Sequence, residues 1–245
     1  MTMVKQGEIL VVDDQPGILE TLSDILEAKG YGVATASDGF TAIRKAKEKK
    51  FDLILMDIKM PGINGVQTFR EIKKIAPATA VVMMTAYAVE DLIREAIEEG
   101  AYTVVYKPFD TQKVIQTIEQ VLESMLVLVV DDRLDDRQTI RDILMTKGYT
   151  VATAKDGYEA IELVKQGDFD IVMLDVKMPG IDGVKTFDEI HKIKPKIPVI
   201  MLTGYTAEEM LSEAIKKGVY ACLYKPLDMD RLIQILQQVK KQKHA

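Results

Sequence analysis

Residues 51–65 read F-D-L-I-L-M-D-I-K-M-P-G-I-N-G. Leu53 to Met56 form a short apolar run with no turn former, followed by a lone carboxylate, Asp57, and then by Pro61-Gly62 and Gly65. An apolar run of this length bounded by turn signals predicts a strand buried on both faces. Asp57 falls where that strand gives out. In open parallel α/β sheets, binding and chemistry gather outside the carboxyl ends of the strands. Asp57 is therefore placed as a reactive group rather than a solubilising one.

The stretch recurs. Residues 169–183 read F-D-I-V-M-L-D-V-K-M-P-G-I-D-G, and Asp175 follows Asp57 by 118 residues (175 − 57). The same shift carries Asp14 to Asp132, Gly39 to Gly157, Pro61 to Pro179, Thr85 to Thr203 and Lys107 to Lys225, with no insertion or deletion between the copies. A unit this long is a whole domain, not a solenoid repeat. The 245 residues accordingly predict two domains, at 1–124 and 125–245.

Composition narrows the function classes. Hydrophobic content of 47% and charged content of 29% are ordinary for a globular protein. The net charge of −6 argues against a nucleic-acid-binding surface. It is uneven: the first domain has 14 basic against 19 acidic residues (−5), the second 18 against 19 (−1). The single cysteine, Cys222, cannot form an intrachain disulfide and suits a reducing compartment. No apolar run reaches membrane-spanning length and no signal-peptide core is visible, so a cytoplasmic protein with no membrane partner is expected.

Along the chain, strands are expected at 8–12, 32–36, from Phe51, at 80–84 and at 102–106. Helices are expected from Pro16 to Gly30, Ala42 to Lys50, Gly65 to Lys74, Glu90 to Glu99, and from Asp110 or Thr111 to about Glu123. The second half repeats the series, with strands near 126–130, 150–154, 170–174, 197–202 and 220–224. Strands alternating with helices predict βα units around a parallel sheet. No Gly-, Pro- or Ser-rich linker separates the halves.

A parallel arrangement brings the strand ends to one rim. Strand one delivers Asp13 and Asp14, strand three Asp57, strand four Thr85 and strand five Lys107; the second copy delivers Asp131, Asp132, Asp175, Thr203 and Lys225. Three adjacent carboxylates raise one another's pKa. A hard divalent cation relieves that repulsion, and Mg²⁺ is the natural choice beside phosphate. The lysine and threonine can receive phosphoryl oxygens. Asp57 and Asp175 are then carboxylate nucleophiles able to carry a phosphoryl group. One Asp-Asp pair or one Lys-Pro is a weak signal, but five residue types in order, repeated in full, are a strong one.

These residues resemble the receiver domains of the response-regulator family of two-component signalling, over essentially the whole chain. The carrying motifs are V-V-D-D at 11–14, L-M-D-I-K-M-P-G at 55–62, M-T-A-Y at 84–87 and Y-K-P-F at 106–109. In the second half they are V-V-D-D at 129–132, M-L-D-V-K-M-P-G at 173–180, L-T-G-Y at 202–205 and Y-K-P-L at 224–227. The first half is especially similar to the small single-domain regulator of bacterial sporulation phosphorelays, through V-D-D-Q at 12–15, D-x-K-x-P-G at 57–62, M-T-A-Y at 84–87 and K-P-F-D at 107–110. The resemblance implies two tandem flavodoxin-like (CheY-like), doubly wound, five-stranded parallel sheets of order 2-1-3-4-5. It implies that Asp57 and Asp175 are phosphoacceptors. Asp14 and Asp132 would bind Mg²⁺ directly, with Asp13 and Asp131 assisting and the backbone carbonyls of Lys59 and Lys177 completing the protein ligands. Thr85 and Thr203 would be switch hydroxyls, and Lys107 and Lys225 would contact the phosphoryl group. The bonds before Pro108 and Pro226 are candidates for the cis form.

The implied partners are a sensor histidine kinase or histidine phosphotransfer protein, docking near the first helix of each domain, and a downstream protein target. The resemblance also allows a homodimer. No output domain is expected, nor enzymatic turnover beyond self-phosphorylation and slow autodephosphorylation. The slow loss follows from bulky residues two positions after the acceptor (Lys59, Lys177) and after the switch threonine (Tyr87, Tyr205). The chain departs from the family at Val104 and Cys222, where an aromatic residue usually couples to the switch threonine. Tyr106 and Tyr224 are expected as partly buried strand residues, and Cys222 as a small apolar one. His191 and His244 are read as surface residues rather than a phosphohistidine relay.

Three other classes fit the sequence less well. An Asp-nucleophile phosphohydrolase of the haloacid-dehalogenase kind needs a second Asp two residues after the first, where this chain has Lys59 and Lys177. A flavin or nucleotide site needs a phosphate loop, and neither G-x-G-x-x-G nor G-x-x-x-x-G-K-[ST] occurs. A scaffold of inactive receivers would have no use for two intact acceptor sets.

Overall fold

The computed structural model describes residues 7–86, 90–204 and 214–243. The chain divides into two compact units, Met1–Ser124 and Met125–Ala245.

In the first unit the strands are Glu8–Val12 (β1), Gly32–Ala36 (β2), Leu53–Asp57 (β3), Ala80–Thr85 (β4) and Thr103–Tyr106 (β5). The helices are Pro16–Ala28 (α1), Gly39–Glu48 (α2), Gly65–Ile75 (α3), Glu90–Glu98 (α4) and Thr111–Leu122 (α5). All strand pairs are parallel, in the order β2-β1-β3-β4-β5. The strand that carries Asp57 is the middle one, and all five of its residues are buried.

Alternation along β3 explains why it has no polar face. Leu53 and Leu55 pack with Leu22, Leu26, Val114 and Ile118 of α1 and α5. Ile54 and Met56 pack with Phe69, Ile72 and Ala96 of α3 and α4. Successive side chains point to opposite faces of a sheet, and helices cover both. Each such fully buried Leu, Ile or Met contributes about 1.5–3 kcal/mol.

The second unit repeats this with Leu126–Val130 (β6), Thr150–Ala154 (β7), Ile171–Asp175 (β8), Val199–Thr203 (β9) and Ala221–Tyr224 (β10). Its helices are Leu134–Thr146 (α6), Gly157–Gln166 (α7), Gly183–Ile193 (α8) and Met229–Lys243 (α9). The sheet order is β7-β6-β8-β9-β10, all parallel. A further helix expected between β9 and β10 falls largely on 205–213, outside the described residues; its end, at 214–216, is helical.

Helix boundaries follow from caps. The helix expected to start at Ala42 starts instead at Gly39, with Asp38 as its cap. Asp38 Oδ1 accepts from Thr41 N at 2.8 Å, which satisfies one of the donors a helix N-terminus leaves open. Asn64 and Gln67 form a full capping box on α3. Asp110 caps α5 through Gln112 N and Lys113 N. At the amino end of the sheet, the other acid of the opening stretch has a structural role. Asp52 Oδ2 accepts from Glu8 N, and its counterpart Asp170 Oδ2 accepts from Leu126 N, both at 2.8 Å.

Candidate phosphoacceptor site

Backbone pairing assembles the site. Ile58 N donates to Met84 O (2.9 Å) and Lys107 N to Thr85 O (2.7 Å), so the residues bearing the acid, hydroxyl and amine are laced across the ends of β3, β4 and β5. Val176 N to Leu202 O (2.9 Å) and Lys225 N to Thr203 O (2.8 Å) do the same in the second unit. Asp13 N donates to Ala36 O at 3.1 Å, holding the end of β1 against β2.

Gly65 lets α3 begin directly behind the acid. A Cβ there would collide with the backbone carbonyl oxygen of Asp57 and lie 2.9 Å from Ile58 Cα. Gly183 is in the same position against Asp175 and Val176. Gly62, in the turn between, has φ of +84°, a region that favours glycine. The Lys107-Pro108 and Lys225-Pro226 bonds are cis.

Carboxylate oxygens of Asp13, Asp14 and Asp57 lie within 4.8 Å of one another, as do those of Asp131, Asp132 and Asp175. In each trio the first and last acids are buried and the middle one is exposed. The Lys107 ammonium donates to Asp13 Oδ2 at 2.5 Å and to Asp57 Oδ1 at 2.7 Å. Burial pushes the Asp57 carboxyl up, and the neighbouring Lys107 only partly offsets this. Burial works against the charge on Lys107, but its bonds to Asp13 and Asp57 outweigh it and hold it above the usual lysine range. Burial likewise pushes Asp175 up, to about 6, against the pull of Lys225. Thr85 and Thr203 are buried at the ends of β4 and β9, and Thr203 Oγ1 donates to Gly204 O at 3.0 Å.

Three converging oxygen donors around a partly buried rim are the donor set of a hard divalent cation. The trios of acids fit Mg²⁺, which when bound would supply charge neutralisation. Lys59 and Lys177 are exposed in the loops after β3 and β8. The structure thus brings every predicted site residue of each copy to one sheet end.

Other expectations fared differently. Tyr106 and Tyr224 are not half-buried but exposed, at 57% and 43%. Each is the last residue of the edge strand of its sheet. Cys222 is a half-buried free thiol, pushed up by burial as an apolar neighbourhood dictates. Val104 is half-buried against the core. His191 lies exposed on α8, its ring 5.4 Å from that of Phe187. Tyr87, Tyr205 and His244 lie outside the described residues.

Sequence reasoning missed a further residue at the second site. Asp136, on the first turn of α6, reaches Lys225 at 3.5 Å. The signal was available: the residue 118 positions earlier is Ile18, so the copies differ there in charge.

The model of the response regulator receiver domain matches residues 9–119 and again 127–237. This chain belongs to the response regulator receiver family, with two receiver domains in tandem. The transcriptional regulatory protein ZraR of Klebsiella oxytoca is 41% identical over 118 residues, covering 48% of this chain and 27% of ZraR. The transcriptional regulatory protein GlrR of Escherichia coli K12 is 33% identical over 214 residues, covering 86% of this chain and 45% of GlrR. The chain thus spans from about a quarter to under a half of these two curated relatives. Among solved structures, a CheY-like receiver protein from Methanospirillum hungatei is similar, at 30% identity and a TM-score of 0.47, covering 47% of this chain and 93% of that one. Among the described residues of the two receiver domains, no helix is long and apolar enough to cross a membrane.

Proposed function

We propose that both receiver domains are working phosphoacceptors of a two-component pathway, with Asp57 and Asp175 taking a phosphoryl group from a phosphohistidine of a sensor kinase or phosphotransfer protein. The observation that carries this reading is the ammonium of Lys107 lodged between Asp13 and Asp57, with Asp14 beside them, and its repetition around Lys225. A carboxylate oxygen attacks phosphorus, the P–N bond to the histidine breaks, and the ring nitrogen leaves with the electron pair. Lys107 moves its hydrogen bond from the free carboxylate to a phosphoryl oxygen, and the buried Thr85 hydroxyl turns toward another. Asp13 and Asp14, with Asp57 and the Lys59 carbonyl, would hold Mg²⁺, which would supply further charge neutralisation; Asp131, Asp132, Asp175 and Lys177 would do so in the second domain.

The reaction ends in a covalent signal rather than turnover, because Lys59 and Lys177 stand where a phosphohydrolase needs an acid. Output passes to a downstream protein partner through the rims of the two sites. The net charge of −6 disfavours direct nucleic-acid contact, and the setting is cytoplasmic.

Incubation with acetyl phosphate and Mg²⁺, read by intact mass, tests the assignment. The full chain should gain up to two phosphoryl groups, and Asp57→Asn or Asp175→Asn one fewer. An unchanged gain in both variants would refute it.

A further inference from the structure

The second helix of each domain opens with an aromatic side chain that the acceptor chemistry does not use. Phe40, in the first turn of α2, and Tyr158, in the first turn of α7, are each 64% exposed. They are equivalent residues, 118 positions apart, although their surroundings differ: Ser37, Thr41 and Arg44 are replaced by Lys155, Glu159 and Glu162. A methyl built on Gly62 would lie 3.5 Å from Phe40 Cε2, and one built on Gly180 would lie 3.4 Å from Tyr158 Cε2. Each ring edge therefore stands against the glycine of the Pro-Gly turn that follows the acceptor. That glycine has φ of +84° in one copy and +82° in the other.

Two further features set the ring in place. Caps fix where the helix begins: Asp38 accepts from Thr41 N and Thr41 Oγ1, and Asp156 from Glu159 N, all at 2.8 Å. The glycine before each ring lets the helix start lie close against the same loop. A Cβ on Gly39 would collide with the Thr68 hydroxyl and lie 2.7 Å from Ile63 Cγ1; one on Gly157 would collide with the Thr186 hydroxyl and lie 2.6 Å from Ile181 Cγ2. The loop is tied at its ends, where Gly65 N donates to Ile58 O and Gly183 N to Val176 O, both at 2.9 Å. Between those ties, Pro61-Gly62 and Pro179-Gly180 are exposed, and the ring lies against them.

We propose that Phe40 and Tyr158 are positioning residues: each ring steadies the glycine turn after its acceptor and so holds the backbone carbonyl of Lys59 or Lys177 ready for Mg²⁺. This rests on the reading of those carbonyls as metal ligands. Without the ring, the turn keeps its two end ties but gains backbone freedom at a residue that already has the most to lose. Metal binding must then remove that freedom, and a ligand that has to be ordered first binds more weakly.

The test uses the full chain with one metal site disabled at a time. In an Asp132→Ala background, calorimetric Mg²⁺ titration reports the first domain. Phe40→Ala should raise the Kd by about three- to tenfold, part of the ordering cost of one backbone residue. Phe40→Tyr should keep the parent Kd, since the second domain uses tyrosine at this place, and Tyr158→Ala should not change it. In an Asp14→Ala background the roles reverse, with Tyr158→Ala weakening Mg²⁺ and Tyr158→Phe preserving it. Hydrogen exchange on the metal-free chain is the second measurement. Phe40→Ala should quicken the amides of residues 59–65 several-fold while those of β1 and β3 stay as they were, which general destabilisation would not produce. Loop exchange that does not quicken overturns the clamp. Quickened loop exchange with an unchanged Kd overturns the positioning role. No Mg²⁺ binding by the parent chain overturns the metal reading and this proposal with it.

Discussion

Lys107 reaches across the rim of the first sheet to Asp57, 107 − 57 = 50 residues distant in sequence, and bonds it at 2.7 Å while also holding Asp13. One buried cation thus stands against two buried anions, with a third acid, Asp14, exposed beside them. The metal-free site carries an uncompensated negative charge.

Removing the cation should therefore destabilise the first domain. Lys107→Ala leaves Asp13 and Asp57 buried without their cation, Asp13 keeping only its bond from Gln15 N, at a cost of about 2–4 kcal/mol, part of it relieved when Asp57 takes up a proton. Mg²⁺ should restore much of the loss. Amide hydrogen exchange across β1 and β3, with and without Mg²⁺, is the measurement; equal protection in variant and wild type would contradict the expectation.

Metal should stabilise both domains. The folded acid trios would hold Mg²⁺ where the unfolded chain offers no such set, so melting should shift upward with its concentration and return on chelation. Asp14→Ala should remove the shift from β1 and β3, and Asp132→Ala from β6 and β8, as read by hydrogen exchange. Each variant should leave the other domain's response intact.

Asp175 sets a pH dependence. Its folded pKa of about 6 lies above the ordinary 3.8, so burying the ionised form opposes folding. The penalty is absent below the unfolded value, grows between about pH 4 and 6, and is complete above 6, with a ceiling of about 3 kcal/mol. Metal-free Asp175→Asn should accordingly stabilise the second domain at pH 7.5, by up to about 3 kcal/mol, since the raised value already includes the pull of Lys225. The gain should vanish near pH 4. Denaturant titrations at the two pH values decide it, and a gain independent of pH would count against the burial account.

Gly65→Ala should disturb the first site without touching a charged group. Its added methyl has no room against the Asp57 carbonyl and Ile58 Cα, so α3 or the end of β3 must shift. A loss of about 2–3 kcal/mol is expected, as for overpacking of a tight interior, together with weaker Mg²⁺ binding at the first domain. Calorimetric Mg²⁺ titration and melting measure both. Gly17→Ala, in α1 with open space around it, should be neutral or slightly stabilising.

Much was legible in the chain because the reactive residues sit at the ends of apolar runs that only a doubly covered parallel sheet can bury. The run before Asp57 located the strand, and the 118-residue repeat located the second domain. Alternation of strand and helix signals then dictated that Asp13, Asp57, Thr85 and Lys107 meet at one rim, since parallel strands all present their carboxyl ends on the same side. The start of α2 was less legible. Asp-Gly suits a turn as well as a cap, and only the bond from Thr41 N to Asp38 decides between them. The exposure of Tyr106 and Tyr224 was not legible, because each is the last residue of its strand, where tertiary packing alone sets how much of the ring is covered.

The sequence by itself determined the fold, the repeat and the inventory of acids, hydroxyl and amine, since these depend on local pattern and on the few topologies that bury it. Tertiary structure alone decided how one ammonium is shared. Whether Lys225 divides itself among two acids or three depends on distances of a few ångströms between β10, β6, β8 and the first turn of α6. Coulomb attraction is steep at that range, and no spacing along a chain encodes it.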